Sequence, residues 1–159
     1  MKLLRTIRFD NSDERVFDLA AAPEEWAVSG AFTFGNLSSA EVVGKVKQAF
    51  ANGFLGVSSF GRSTFATVAE ASGADFDEVL YRLARHFVDD YGAPDVETAL
   101  PAAREEVDFV ASLCSDVPIN TVFTVRRMFV DGEIKEEFRR IKAPTGEPMH
   151  ARIWTVEPD

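Results

Sequence analysis

One cysteine, Cys114, occurs in 159 residues. A lone thiol excludes an intramolecular disulfide and any zinc site built on cysteine pairs. Histidine is nearly as scarce, with only His86 and His150, and no H-x-x-x-H or H-E-x-x-H spacing occurs. No metal and no cofactor is therefore expected. Positive charge is in deficit: 17 Lys and Arg against 26 Asp and Glu leave a net charge of −9. That balance argues against nucleic acid, whose binders neutralise phosphates with cations, and against docking on an anionic membrane. No apolar run approaches the roughly 18 residues of a membrane span. "MKLLRTIRFD" meets a charge again at Arg5, which leaves no signal-peptide core, and the cytoplasm is the expected compartment. Repeats, low-complexity tracts and linkers are missing too, so one domain is expected over 1–159.

What the chain has in quantity is phenylalanine, 14 residues of it, in a composition that is 46% hydrophobic. Such a core is built on large rings with no polar group to satisfy. "KLLRTIRF" (2–9) alternates as a strand should, "DNSDE" (10–14) reads as a turn, and "RVFDL" (15–19) as a short return strand. The "DNSDE" turn imitates the start of a calcium loop but lacks its later glycine and glutamate. In "EWAVSGAFTF" (25–34), Trp26, Val28, Phe32 and Phe34 share one side, which predicts a half-buried strand.

"LSSAEVVGKVKQAFANG" carries the signals of a helix. Ser38 and Glu41 have capping-box spacing, Val42, Val46, Ala49 and Phe50 make the inward stripe, and Gly53 is expected as a left-handed stop. A second helix is predicted over "ADFDEVLYRLARHFVDDYG", capped by Asp75 and ended by Gly92, with Phe76, Val79, Leu80, Leu83, Phe87 and Tyr91 on its apolar stripe. A third runs from Pro101 to Cys114. Then "TVFTVRRMFV-DG-EIKEEFRRIK" predicts a hairpin turning at Asp131-Gly132. That turn sets Phe129 opposite Ile134, Val125 opposite Phe138, Arg127 opposite Glu136 and Arg126 opposite Glu137. "APTGEP" (143–148) reads as a loop and "HARIWTV" (150–156) as a last strand. The order is three strands, a helix, a strand, two helices, three strands. Strands grouped in runs predict an α+β fold, a mainly antiparallel sheet with about three helices on one face.

The stretch that looks most like a site is "GFLGVSSFGRSTF" (53–65). Gly56 and Gly61 have phosphate-loop separation, but Arg62 stands where lysine is required and a strand, not a helix, follows. "GVSSFG" is one residue too long for a nucleophile elbow. The bland reading is a helix end, a short buried strand at 54–57, a turn at 58–61 and a strand from Ser63. The functional reading makes Ser58, Ser59 and Arg62 the lining of a pocket for a carboxylate or phosphate, since two hydroxyls and a forked cation suit an anion.

His86 lies at the edge of its helix stripe within reach of Asp89 and Asp90, as a partly buried structural histidine would. Cys114 falls on an inward stripe, where a small buried hydrophobe is expected. No residue is assigned a catalytic role.

"MKLLRTIRFD", "EWAVSGAF" and "GFLGVSSFG" together resemble an uncharacterised family of small proteobacterial proteins, a domain of unknown function. The likeness runs from Met1 to about Arg140. It implies a bacterial cytoplasmic protein with an accessory role, and carries no catalytic residues onto this chain. The leading expectation is a non-enzymatic module that binds a partner protein, a second copy of itself as a homodimer, or a small anionic ligand. The alternative is a small enzyme using His86 or Cys114 with a carboxylate near the 58–62 turn.

Overall fold

A computed structural model describes residues 1–142 and 155–158. The elements in order are β1 (Lys2–Ile7), α1 (Ser12–Val16), β2 (Trp26–Val28), a 3₁₀ turn (Ala31–Phe34), α2 (Gly44–Asn52), β3 (Phe54–Gly56), β4 (Arg62–Ser63), β5 (Phe65–Glu70), α3 (Gly73–Tyr91), α4 (Val96–Cys114), β6 (Val122–Val130), β7 (Glu133–Lys142) and β8 (Thr155–Pro158). The strands form one antiparallel sheet in the order β4-β3-β2-β1-β5-β6-β7-β8. The fold is α+β, as its grouped strands predicted. Among the described residues no helix is long and apolar enough to cross a membrane.

Local chemistry explains most elements. Asp131 and Gly132 take φ of 53° and 81°, the left-handed pair of a type I′ turn. The β6–β7 register sets Phe129 against Ile134, Val125 against Phe138, Arg127 against Glu136 and Arg126 against Glu137, as the turn demanded. Phe123, Val125, Arg127 and Phe129 alternate onto one face of β6. There α4 arrives through Phe109, whose ring lies 5.4 Å from that of Phe138, and α2 through Phe50, stacked on Phe129 at 4.6 Å. α3 turns Phe76, Val79, Leu80, Leu83 and Phe87 inward, and α4 turns Ala103, Val107, Val110 and Cys114.

Several boundaries differ from the sequence reading. Residues 15–19 do not return as a strand. Asp10 accepts from the Ser12 amide, and the buried Asp13 accepts from the Thr64 amide and hydroxyl, which holds this stretch in the short helix α1. The strand at 25–34 stops at Val28, because Gly30 turns left-handed at φ 81° and 31–34 coil into 3₁₀ geometry. The Ser38 amide and hydroxyl both donate to Glu41 Oε1, which is only half of a capping box, and α2 begins beyond them at Gly44, where φ is 61°.

Gly53 ends α2 in extended geometry, not left-handed; a side chain there would meet the Ala49 carbonyl at 2.9 Å and Arg62 at 3.0 Å. Ser72 caps α3, with Asp75 bonding back to it. α4 begins at Val96 under an Asp95 cap and carries Pro101 inside its first turns. Of the strand expected at 150–156, only the last residues fall within the described part, in β8. The 143–148 loop and His150 lie outside the described residues.

At the β4 rim the chain covers its own edge. Ala20 bridges to Arg62 in parallel, the Arg62 amide donates to the Leu19 carbonyl at 2.8 Å, and the Ala21 amide donates to the Arg62 carbonyl at 2.8 Å.

Candidate ligand-binding site

The glycine- and serine-rich stretch between β3 and β4 does hold a carboxylate, and it is the protein's own. Glu25 Oε1 accepts from the amides of Ser58 (3.1 Å) and Ser59 (2.8 Å). The Ser59 hydroxyl reaches both Glu25 oxygens, at 3.0 and 2.8 Å, and the Ala22 amide donates to Oε2 at 2.6 Å. Glycine is needed at 56 because a Cβ there would stand 2.6 Å from Glu25 Oε1. The turn closes through the Phe60 amide on the Gly56 carbonyl at 3.0 Å, with Phe60 itself at φ 58°. Ser59 thus spends its amide and hydroxyl, and Ser58 its amide, on Glu25, a residue whose tie to them does not show in the sequence.

Arg62, next along the chain, points elsewhere. Its side chain is buried, with the residue 6% exposed. Nη1 donates to the carbonyls of Gly30 (3.3 Å) and Gly53 (3.2 Å), and Nη2 donates to Gly30 at 3.3 Å. A guanidinium has five N–H donors, so two remain without an acceptor among the described residues. The cation lies over the Phe34 ring at 4.8 Å. Among the described residues it makes no ion pair, and the charged or titratable neighbours acting on it are Arg127 and Tyr91, neither an anion at neutral pH. Burial, then the like charge of Arg127, pull its pKa down to about 9.

Arg127 is the opposite case. Its side chain is also sealed from solvent, but all five donors find acceptors. Nε bonds Glu136 at 2.8 Å, Nη1 the carbonyls of Phe50 and Gly53 at 2.9 Å each, and Nη2 the Ser29 carbonyl and hydroxyl. Its charge is matched by Glu136, which also accepts from the Ser29 hydroxyl. Parity along β6 could have revealed it, since Arg127 sits between the inward Val125 and Phe129. Arg127 is a structural strut; Arg62 has unspent capacity.

That capacity borders a cavity of about 300 Å³ walled by Phe17, Phe34, Leu37 and Phe60 and reaching Arg62, with Leu19 and Val46 at an exposed rim. Thr33 lines it as well, and its hydroxyl is buried without a hydrogen-bond partner. Lys45 and Asp18 stand at the edge. His86 stacks behind Phe60, ring to ring at 3.7 Å, with Nδ1 2.9 Å from Asp90. Cys114 is wholly buried in the main core. Among the described residues no three His, Cys, Asp or Glu side chains gather as a metal ion would require.

A glycine-backed turn, a spare arginine and a ring-walled hollow all lie within 1–154, the residues matched by the model of a family described as a family of unknown function. The chain belongs to the DUF6505 family. No curated protein and no solved structure matches it. Membership in DUF6505 therefore brings the chain no assigned activity, and the reading of the site rests on its chemistry.

Proposed function

We propose that this protein is a binding module for a small anionic ligand, received in the cavity beside Arg62. The observation that carries the reading is a buried guanidinium that, among the described residues, has two unspent donors and no counter-anion. Burying an uncompensated charge costs stability that an apolar side chain of similar size would not. An anion arriving in the cavity would supply both the missing charge and the missing acceptors, by hydrogen bonds of the stronger, charge-assisted kind. The volume falls at the lower end of ligand-sized pockets, and its walls combine apolar surface with few polar groups, as such sites do.

The alternative of catalysis by His86 or Cys114 draws less support. The thiol is buried at 0% exposure, and His86 is engaged by Asp90 on one atom and by Phe60 across its ring.

Thermal denaturation of the protein and of its Arg62→Met variant, each with a panel of small carboxylates and phosphates, tests the reading. A midpoint raised by at least one anion in the parent chain and unmoved in the variant is expected. Equal shifts in both, or none in either, would count against it.

A further inference from the structure

Resting on that reading, we infer that the ligand is a monocarboxylic acid with a hydrocarbon body, its head on Arg62 and Thr33 and its tail toward the rim.

Charge fixes the first half of the assignment. Two arginines lie close enough to act on one another, and the acids there, Glu136 and Glu106, both act on Arg127. Among the described residues no acid faces Arg62, so its single positive charge is the one the cavity presents. A carboxylate neutralises it; a phosphate monoester, near −2, would leave a negative charge in a ring-walled hollow. Asp18 and Lys45 both stand exposed at the edge, where solvent and salt weaken the reach of each.

Donor geometry agrees. Arg62 keeps two unspent donors, Nε and one on Nη2, and the Thr33 hydroxyl is a third; both residues line the cavity. A planar two-oxygen head can use them all. Tetrahedral heads bring a further oxygen for which the wall has no buried donor.

The remaining lining decides the tail. Phe17, Phe34, Leu37 and Phe60 offer only carbon, so each ligand hydroxyl placed among them would lose its water without replacement. A hydrocarbon gains from the same surface. At about 30 Å³ per water-sized unit, the hollow takes on the order of ten non-hydrogen atoms. The exposed Leu19 and Val46 extend that apolar path outward.

Calorimetric titration with octanoate, octyl phosphate, octanol and citrate, on the full chain and on Arg62→Met, Thr33→Val and Val46→Glu, tests the assignment. Octanoate is expected to bind at least tenfold tighter than octanol or octyl phosphate. Arg62→Met should weaken it tenfold or more, Thr33→Val severalfold, and Val46→Glu, an exposed rim change that spares the core, severalfold through repulsion. Circular dichroism on each variant shows that the fold is retained.

Tighter binding of octyl phosphate or citrate, lost in Arg62→Met, would overturn the monocarboxylate while leaving the anion site standing. Octanol matching octanoate, or octanoate indifferent to Arg62→Met and Val46→Glu, would overturn the site itself. Absence of binding by all four probes would overturn the hydrocarbon acid; the wider anion panel then judges the site.

Discussion

Arg62 and Arg127, from strands on opposite sides of the sheet's centre, donate to one oxygen, the carbonyl of Gly53, at 3.2 and 2.9 Å. That oxygen has two lone pairs and both are used. The α2–β3 junction is thus pinned from two directions, and the two cations are kept near each other although, among the described residues, carboxylates answer only Arg127.

The asymmetry predicts opposite stability effects. Arg127→Met strands the Glu136 charge and the carbonyls of Ser29 and Phe50, and should cost about 3–5 kcal/mol. Arg62→Met removes an unmatched buried charge and should change stability by less than about 1 kcal/mol, or raise it. Denaturant midpoints measure both. Equal losses in the two variants would mean that Arg62 is also a strut.

Glu25 gives a second test, because its cradle is complete without any cation. Glu25→Ala empties a niche lined by three amides and the Ser59 hydroxyl. A loss of about 1–3 kcal/mol is expected, the cost of leaving such donors unmet. Added formate or acetate should restore part of it, and neutral formamide less. Thermal midpoints with and without the salts decide. A variant insensitive to small carboxylates would show that the turn collapses when Glu25 is shortened.

Two glycines with similar backbone predict different penalties. Gly30 and Gly44 both have positive φ, 81° and 61°. A methyl at 44 meets nothing within 4 Å, whereas one at 30 would stand 2.6 Å from Arg62 Nη1 and from Leu55. Gly44→Ala should cost about 1–2 kcal/mol for the left-handed backbone alone. Gly30→Ala should cost more and should also shift Arg62, so that ligand binding falls with stability. Chemical denaturation paired with the octanoate titration separates these effects.

His86 predicts a pH response. Burial lowers its pKa below 6.5, outweighing Asp90 and Asp89, which favour the cation, while Arg62 adds to the lowering. The unfolded chain therefore takes up the proton first. Stability should be full above about pH 6.5 and fall with acidification until the folded imidazole also protonates, below which this contribution levels off. His86→Gln should flatten that segment of the stability–pH curve. An unchanged slope in the variant would assign the acid sensitivity to other groups.

How much of this was legible depended on how local each cause was. The β6–β7 register followed from Asp131-Gly132 and period-two patterning, and every predicted pair is present. The inward faces of α3 and α4 followed from helical spacing, except that Tyr91, at the last turn of α3, is exposed. The 25–34 stretch failed because its alternation is real but its bend is imposed from afar: Arg127 claims the Ser29 carbonyl and Arg62 the Gly30 carbonyl, with Gly30 supplying the turn. Likewise, Ser58, Ser59 and Arg62 stood out by composition. That the serines serve Glu25, 33 residues earlier in the chain, while the arginine borders a hollow with Phe34 and Thr33, depends on contacts that no short window contains.

The seal along β4 has its own consequence. Exposed strand borders invite a neighbouring molecule to add its backbone, the first step toward filaments. Here residues 19–21 already occupy the hydrogen-bonding positions beside Arg62. Recruitment of further chains through that side would first require prising the molecule's own segment away, so self-assembly in concentrated solution has to begin elsewhere.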